Sequence, residues 1–341
     1  MRAGIATVAI ALALAPSAFA AAPHPALTIG WVGDIAFSTS KGLPPRGGAG
    51  VFSSVSRVLH GDDLTTGNLE GTLGHGGPSK CAGGRANCFA FQAPTSFARV
   101  LRDAGFGLMN MANNHSRDFG SSGLQQTQSA LAGAGLAHTG LDHEITIERI
   151  RGVRVAFLGF APYPWTSPLT DIPAARRLVA AATARARIVV VFIHAGAEGA
   201  GALHVPHGQE TAFGENRGRA RAFAHAVVDA GADAVLGSGP HVLRGMECYR
   251  RRLIAYSLGD FAGWNTLSTS GVLDLSGIVR VKLGPTGALA GGHLFPIRLQ
   301  RPGVPRPDPS RAGIGLVQRL SREDFGPGAC RIGARGDIGL P

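Results

Sequence analysis

The chain has 341 residues, 45% of them hydrophobic, and 33 Lys plus Arg against 22 Asp plus Glu, for a formal net charge of +11. The positive charge is almost all arginine, since lysine occurs only at Lys41, Lys80 and Lys282. Aromatics make up only 6% and the arginines are scattered, apart from Arg217/Arg219/Arg221 and Arg250/Arg251/Arg252, which excludes a nucleic-acid partner in favour of an anionic small molecule, polymer or cell surface.

At the N-terminus, Met1 to Ala22 carries a positive charge at Arg2, an apolar run from Ile5 to Ala15 and the small-residue stretch Ser17-Ala18-Phe19-Ala20. This is the pattern of a secretory signal over residues 1–20, cleaved after Ala20. The run is short for a membrane span, and no later stretch is long and apolar enough to be one. Export to a periplasmic or extracellular location is therefore expected, with the four cysteines in an oxidising compartment. About 320 residues remain, enough for one large α/β domain or two modest ones, and we read one.

Along the mature chain, apolar strands keep ending in polar residues. Leu27–Val32 stops at Gly33-Asp34. After a Gly/Pro-rich loop over residues 38–50, Val51–His60 reads as a helix and Asp62–Leu69 as a strand that ends in Glu70. Pro94–Ala104 reads as a crossover helix, followed by GFGLMNMANNH from Gly105 to His115, an apolar strand that runs into two amides and an imidazole. A helix follows over Gly120–Ala134, then a hairpin of Ile145–Ile150 and Val153–Phe160 around Arg151-Gly152, and an Ala/Arg-rich helix over Ile172–Ala186. Arg187–Ile193 is the most β-branched run and reads as a central strand that discharges His194 and Glu198. Glu215–Ala230 reads as a helix, Ala232–Leu236 as a strand with His241 at its tip, and Tyr256–Phe261 as a strand carrying Asp260.

Six strand ends thus offer Asp34, Glu70, Asn114 with His115, His194 with Glu198, His241 and Asp260. In open α/β sheets chemistry collects at such ends. Carboxylate, amide oxygen and imidazole together suit a divalent ion of the Mn, Fe or Zn kind, one or two in number, with no thiolate involved. No GxxxxGK[ST] phosphate loop, H-E-x-x-H or G-x-S-x-G motif occurs.

Taken in order, Gly33-Asp34, Asn68-Leu69-Glu70, Asn113-Asn114-His115, His194-x-Gly196-x-Glu198, Gly237-Ser238-Gly239-Pro240-His241-Val242 and Ser257-Leu258-Gly259-Asp260-Phe261 resemble the CapA-type capsule synthesis (poly-γ-glutamate biosynthesis) proteins, which are similar to calcineurin-like metallophosphoesterases. The resemblance runs from about Leu27 to Phe261. It implies a four-layer αββα sandwich of two mixed sheets flanked by helices, over residues 27–300, with Gly271–Gln300 supplying late strands of the second sheet. It implies Asp34, Glu70, Asn114, His194 and His241 as metal ligands, with Glu70 shared by two ions and Asn68, Asn113, Glu198 and Asp260 in support. His115 becomes the acid that protonates a leaving group during hydrolysis of a phosphoester or related anionic substrate. The chain departs from the superfamily at Asp34-Ile35-Ala36, in place of Asp-x-His, and at Ser238-Gly239-Pro240-His241, in place of Gly-His-x-His. Where the family commonly has Gly-Asn-Phe, this chain has Gly259-Asp260-Phe261. The competing reading is a non-catalytic metal-binding component that binds an anionic polymer and assists its assembly or export beside membrane-bound capsule machinery.

The four cysteines allow three pairings. Cys81 and Cys88 are near in sequence and a poor zinc site, so a Cys81–Cys88 bridge is expected, leaving Cys248–Cys330. The second bridge would pin residues 301–341, read as a weakly structured Pro/Arg-rich tail, against the core.

Overall fold

The computed structural model describes residues 26–84 and 88–341, together with residues 1 and 4. The rest of the expected signal segment lies outside the described residues. Continuous apolar runs, buried on both faces, build the central strands. Strands β1 (Leu27–Ile35), β2 (Leu64–Leu69), β3 (Phe106–Asn110) and β4 (Ala137–Thr139) run parallel, with helices α1 (Phe97–Ala104) and α2 (Gly120–Gly133) between them. The hairpin β5 (Thr146–Ile150) and β6 (Val153–Ala161) opens a second sheet. It continues through α3 (Ile172–Thr183), β7 (Ile188–His194), α4 (Ala220–Asp229), β8 (Ala234–Ser238) and the antiparallel pair β9 (Met246–Tyr249) and β10 (Arg252–Ala255). The chain then returns to β1 as β11 (Asp260–Ala262). It finishes with β12 (Leu275–Leu283), β13 (Leu289–Gln300), β14 (Val304–Pro307), α5 (Ala312–Phe325), β15 (Arg331–Ile332) and β16 (Asp337–Gly339).

Among the described residues the first sheet has ten strands, in the order β15-β16-β13-β12-β1-β2-β3-β4 with β11 beside β1 and β14 beside β13. The second has seven, β9-β10-β8-β7-β6-β5 with Ser167–Pro168 beside β6. Leu27, Ile29 and Trp31 of β1 meet Ile188, Val190 and Phe192 of β7 in one core between the sheets. The opposite residues, Val189, Val191 and Ile193, pack under Val179 of α3 and Phe223 and Val227 of α4. Phe97 and Leu101 of α1 cover Val32, Phe106 and Met109 on the far side of the first sheet. Each sheet buries both faces, which gives the expected four-layer αββα sandwich. Trp31 ties the layers together, stacking on Phe192 at 4.6 Å and donating its indole N–H to the Gly237 carbonyl at 3.1 Å.

Several expected boundaries change. The segment 271–300 belongs to the first sheet, because β12 lies antiparallel to β1, with Trp31 opposite Val279, and supplies apolar residues to both of its faces. Residues after 300 form no loose tail. Ile314, Val317 and Leu320 recur on one face of α5 and enter the inter-sheet core, and β16 pairs with β13. The Pro and Arg content hides that helical spacing from a compositional reading. Only Ser56–Leu59 of the expected Val51–His60 helix is α-helical. Likewise α4 begins at Ala220 because Gly218 takes φ +83°, and Glu215–Asn216 pairs instead with Thr211–Ala212. Tyr256–Phe261 is a crossing between the sheets rather than one strand. Both expected disulfides are present, with Cα–Cα distances of 5.6 Å for Cys81–Cys88 and 4.8 Å for Cys248–Cys330.

Candidate metal centre

Strand register gathers the polar tips. Asp34 lies opposite Asn68 across β1 and β2, and opposite Asp260 across β1 and β11. In the facing sheet, the parallel pair β7 and β8 sets His194 opposite Ser238, with His241 just beyond. Gly33 is required at this junction, because a Cβ there would strike the Gly259 carbonyl oxygen. That close approach lets the Asp34 N–H donate to the same carbonyl at 3.0 Å.

Asp34, Glu70 and His194 have no solvent exposure. His194 Nε2 is 3.6 Å from Glu70 Oε1, and its Nδ1 is 3.9 Å from Asp34 Oδ1. His241 Nδ1 lies 2.8 Å from Asp260 Oδ1 and 3.3 Å from Asp34 Oδ2, while its Nε2 is 3.9 Å from Glu70 Oε1. Two donor triads result, Asp34/Glu70/His194 and Asp34/His241/Asp260, each with ligand atoms within 4.8 Å of one another. Asp34, and not Glu70 as the resemblance implies, is common to both. Asp260, expected in support, stands among the donors.

The donors fit a divalent cation. Both Glu70 oxygens, His194 Nε2 and Asn114 Oδ1 are buried without a hydrogen-bond partner, an expensive arrangement unless the lone pairs are used. Burial, then the Asp34 charge, pushes the Glu70 carboxyl well above the usual range. Burial alone would lower the His241 imidazole, but Asp260 and Glu70 beside it push it well above its usual value. Oxygen and imidazole donors with no sulfur are a donor set that divalent cations accept.

A chain of amides fixes the first triad. Asn110 and Asn113 each donate to Asn68 Oδ1, at 2.9 and 3.1 Å, and Asn68 Nδ2 donates to Asp34 Oδ1 at 2.7 Å. Asn113 also donates to the Leu69 carbonyl at 2.9 Å and accepts the His115 N–H at 3.0 Å, so it shapes the loop that carries Asn114 and His115.

His115 faces the centre from the side, with Nε2 4.0 Å from Glu70 Oε1 and the ring stacked on Phe91 at 4.5 Å. Its Nδ1 lies 2.8 Å from Asp118 Oδ2, which is in turn held by Lys80 Nζ, 2.6 Å from Oδ1, and by the Phe91 N–H. Burial lowers this imidazole despite Asp118. Glu198 sits at the rim, its Oε2 3.7 Å from His241 Nε2 and its Oε1 2.6 Å from the buried Arg217 guanidinium.

The contacts bring Asp34, Glu70, His194, His241, Asp260, His115, Glu198, Asn68 and Asn113 together at this junction, with Asn114 on the loop between Asn113 and His115. Asp118, Lys80, Asn110 and Arg217 are additions that sequence reading misses. The one-turn spacing of His115 and Asp118 is a signal for the first; Lys80 and Arg217 arrive from loops whose path has no local signature.

Buried carboxylates, imidazoles and an amide at the joined strand ends of an αββα sandwich have the donor set of a divalent-metal centre. The family described as bacterial capsule synthesis protein PGA_cap matches residues 28–263, and the chain belongs to that family. It is 29% identical over 273 residues to the PGA biosynthesis protein CapA of Bacillus subtilis, covering 72% of this chain and 67% of that protein. It is 29% identical over 328 residues to the capsule biosynthesis protein CapA of Bacillus anthracis, covering 89% and 74%. Among solved structures, a 5'-nucleotidase precursor from Thermus thermophilus aligns with 14% identity and a TM-score of 0.44, covering 87% of this chain. The chain spans 59% of that nucleotidase's length.

Proposed function

We propose that this CapA-like capsule biosynthesis protein is an exported, metal-dependent hydrolase of a phosphoester or related anionic substrate. The observation that carries the reading is the set of buried, unpartnered donor atoms on Glu70 and His194, converging with Asp34 at the strand ends. In this reading Asp34, Glu70, Asn114, His194, His241 and Asp260 hold one or two divalent ions, with Asp34 the shared carboxylate. A divalent ion supplies Lewis-acid polarisation of a phosphoryl oxygen and a lowered pKa for water.

The chain's own groups do the rest. Asn68 orients Asp34, and the Asp118 carboxylate holds the His115 Nδ1 proton so that Nε2 points inward. An anionic substrate beside His115 raises the imidazole that burial has lowered, and the Nε2 proton then passes to the leaving oxygen. Two disulfides fit an oxidising periplasmic or extracellular location, and no helix among the described residues is long and apolar enough to cross a membrane.

Poly-γ-glutamate or a related anionic polymer, handled with membrane-bound synthesis machinery, is the proposed context. A non-catalytic polymer-binding role is favoured by one observation, Ala36 and Gly239 at the positions where the wider superfamily places imidazoles. Hydrolysis of aryl phosphate mono- and diesters across Mn, Zn and Mg separates the two. Turnover that requires metal and disappears in Glu70→Gln supports the hydrolase; metal binding without turnover supports the binder.

A further inference from the structure

Beside the centre lies a cavity of about 480 Å³. Its base is polar, formed by His115, His241 and Asp260. Most of the rest is apolar: Phe89, Phe91, Phe213, Leu267 and Leu273 line it beside Glu198, Thr266 and Ser268, and among the described residues no lysine or arginine does. That is a poor surface for a polyanion and a good one for hydrocarbon.

Phe213 gives the wall a specific meaning. It sits at the tip of the small hairpin Thr211–Ala212/Glu215–Asn216, where Phe213 and Gly214 take φ of +50° and +80°. A two-residue hairpin turn with positive φ at both centres prefers Asn-Gly, since a bulky side chain is disfavoured in the left-handed region. Here the first position is Phe, and it is 72% exposed. Local folding and core packing both fail to account for it. Phe89, which also lines the cavity, is 47% exposed. The hairpin is held in place at its base, where the buried Arg244 binds Glu210 at 2.6 Å and Arg217 binds Glu198. The aromatic tip is thus presented on an anchored support.

We infer that Phe89 and Phe213 form a subsite for the hydrocarbon tail of an amphiphilic substrate whose anionic head lies at the metal centre. The inference rests on the proposed hydrolytic reading of that centre and deepens it. The non-reacting part of the substrate at this site is then apolar, and the poly-γ-glutamate of the proposed context is not the molecule that reacts here.

Calorimetric titration of the metal-loaded full chain with methyl-, butyl- and octylphosphonate tests this. Affinity should rise roughly two- to fourfold per methylene until the cavity is filled. In Phe213→Asn, which suits the turn better and should melt no lower than wild type, the chain-length dependence should flatten. In Phe89→Ala/Phe213→Ala it should vanish. Methylphosphonate should bind all three proteins alike and lose affinity on metal removal. Affinity independent of chain length in wild type, or a full slope retained in the double variant, overturns the tail subsite. If instead the slope is present but methylphosphonate ignores the metal, the reading of the centre fails while the subsite stands. Absence of binding by every phosphonate overturns both.

Discussion

Asn68 Nδ2 lies 2.7 Å from Asp34 Oδ1, and the carbonyl oxygen of the same Asn68 side chain receives two further amide donors, from Asn110 and Asn113. The carboxylate shared by both donor triads is therefore oriented by a side chain that is itself fixed from behind. Loss of such a supporting partner typically weakens metal affinity about 10- to 100-fold. Asn68→Ala should do so here, read by chelator competition, with the fold retained by circular dichroism. Wild-type affinity in a folded variant would remove Asn68 from the site's support.

The His115 and Asp118 pair separates proton donation from metal binding. His115→Ala should lower kcat roughly 10²- to 10⁴-fold with metal content near wild type. The loss should be smaller for a nitrophenyl ester than for a phenyl ester, because a good leaving group needs less protonation. Asp118→Asn should lower kcat for the same leaving-group series with a smaller effect. Equal losses for both esters would remove the acid role, and lost metal would make His115 a ligand.

Away from the site, Asp233 offers a pH test of burial. Its carboxylate accepts the Val189 N–H at 2.9 Å and faces Arg252 at 3.1 Å, yet burial dominates and raises it to about 6. The sign follows. Below roughly pH 4 both states are protonated and the burial penalty is absent. As pH climbs toward 6 the unfolded state ionises first, so stability falls. Above 6 the full penalty is present, at most roughly 2 to 3 kcal/mol. Urea melts of wild type and Asp233→Asn should show wild-type stability declining relative to the variant between pH 4 and 6.5. A flat difference would mean that the Arg252 contact offsets burial.

The polar strand tips were readable because buried strands cannot end in Asp, Glu, Asn or His without a use for them, and Asp34, Glu70, His194 and His241 all came from that rule. Strands such as β7 were equally plain from their β-branched runs. Three features escaped. Sheet membership of β12 and β13 depends on which edge of β1 is open, a long-range fact with no local trace. The helix α5 was masked by proline and arginine around a sparse apolar stripe of Ile314, Val317 and Leu320. Groups such as Lys80 and Arg217 reach the centre from irregular loops, where spacing carries no geometric period.

The strand ends that carry Asp34, Glu70, His194 and His241 are proposed to hold a divalent ion. Elemental analysis of the purified chain, reconstituted separately with Mn, Zn and Fe and then dialysed, measures it directly. About one equivalent and at most two should be retained, falling sharply in His194→Ala. Less than about half an equivalent with every metal would contradict it, because a site of this donor set binds such ions when its ligands are free to do so.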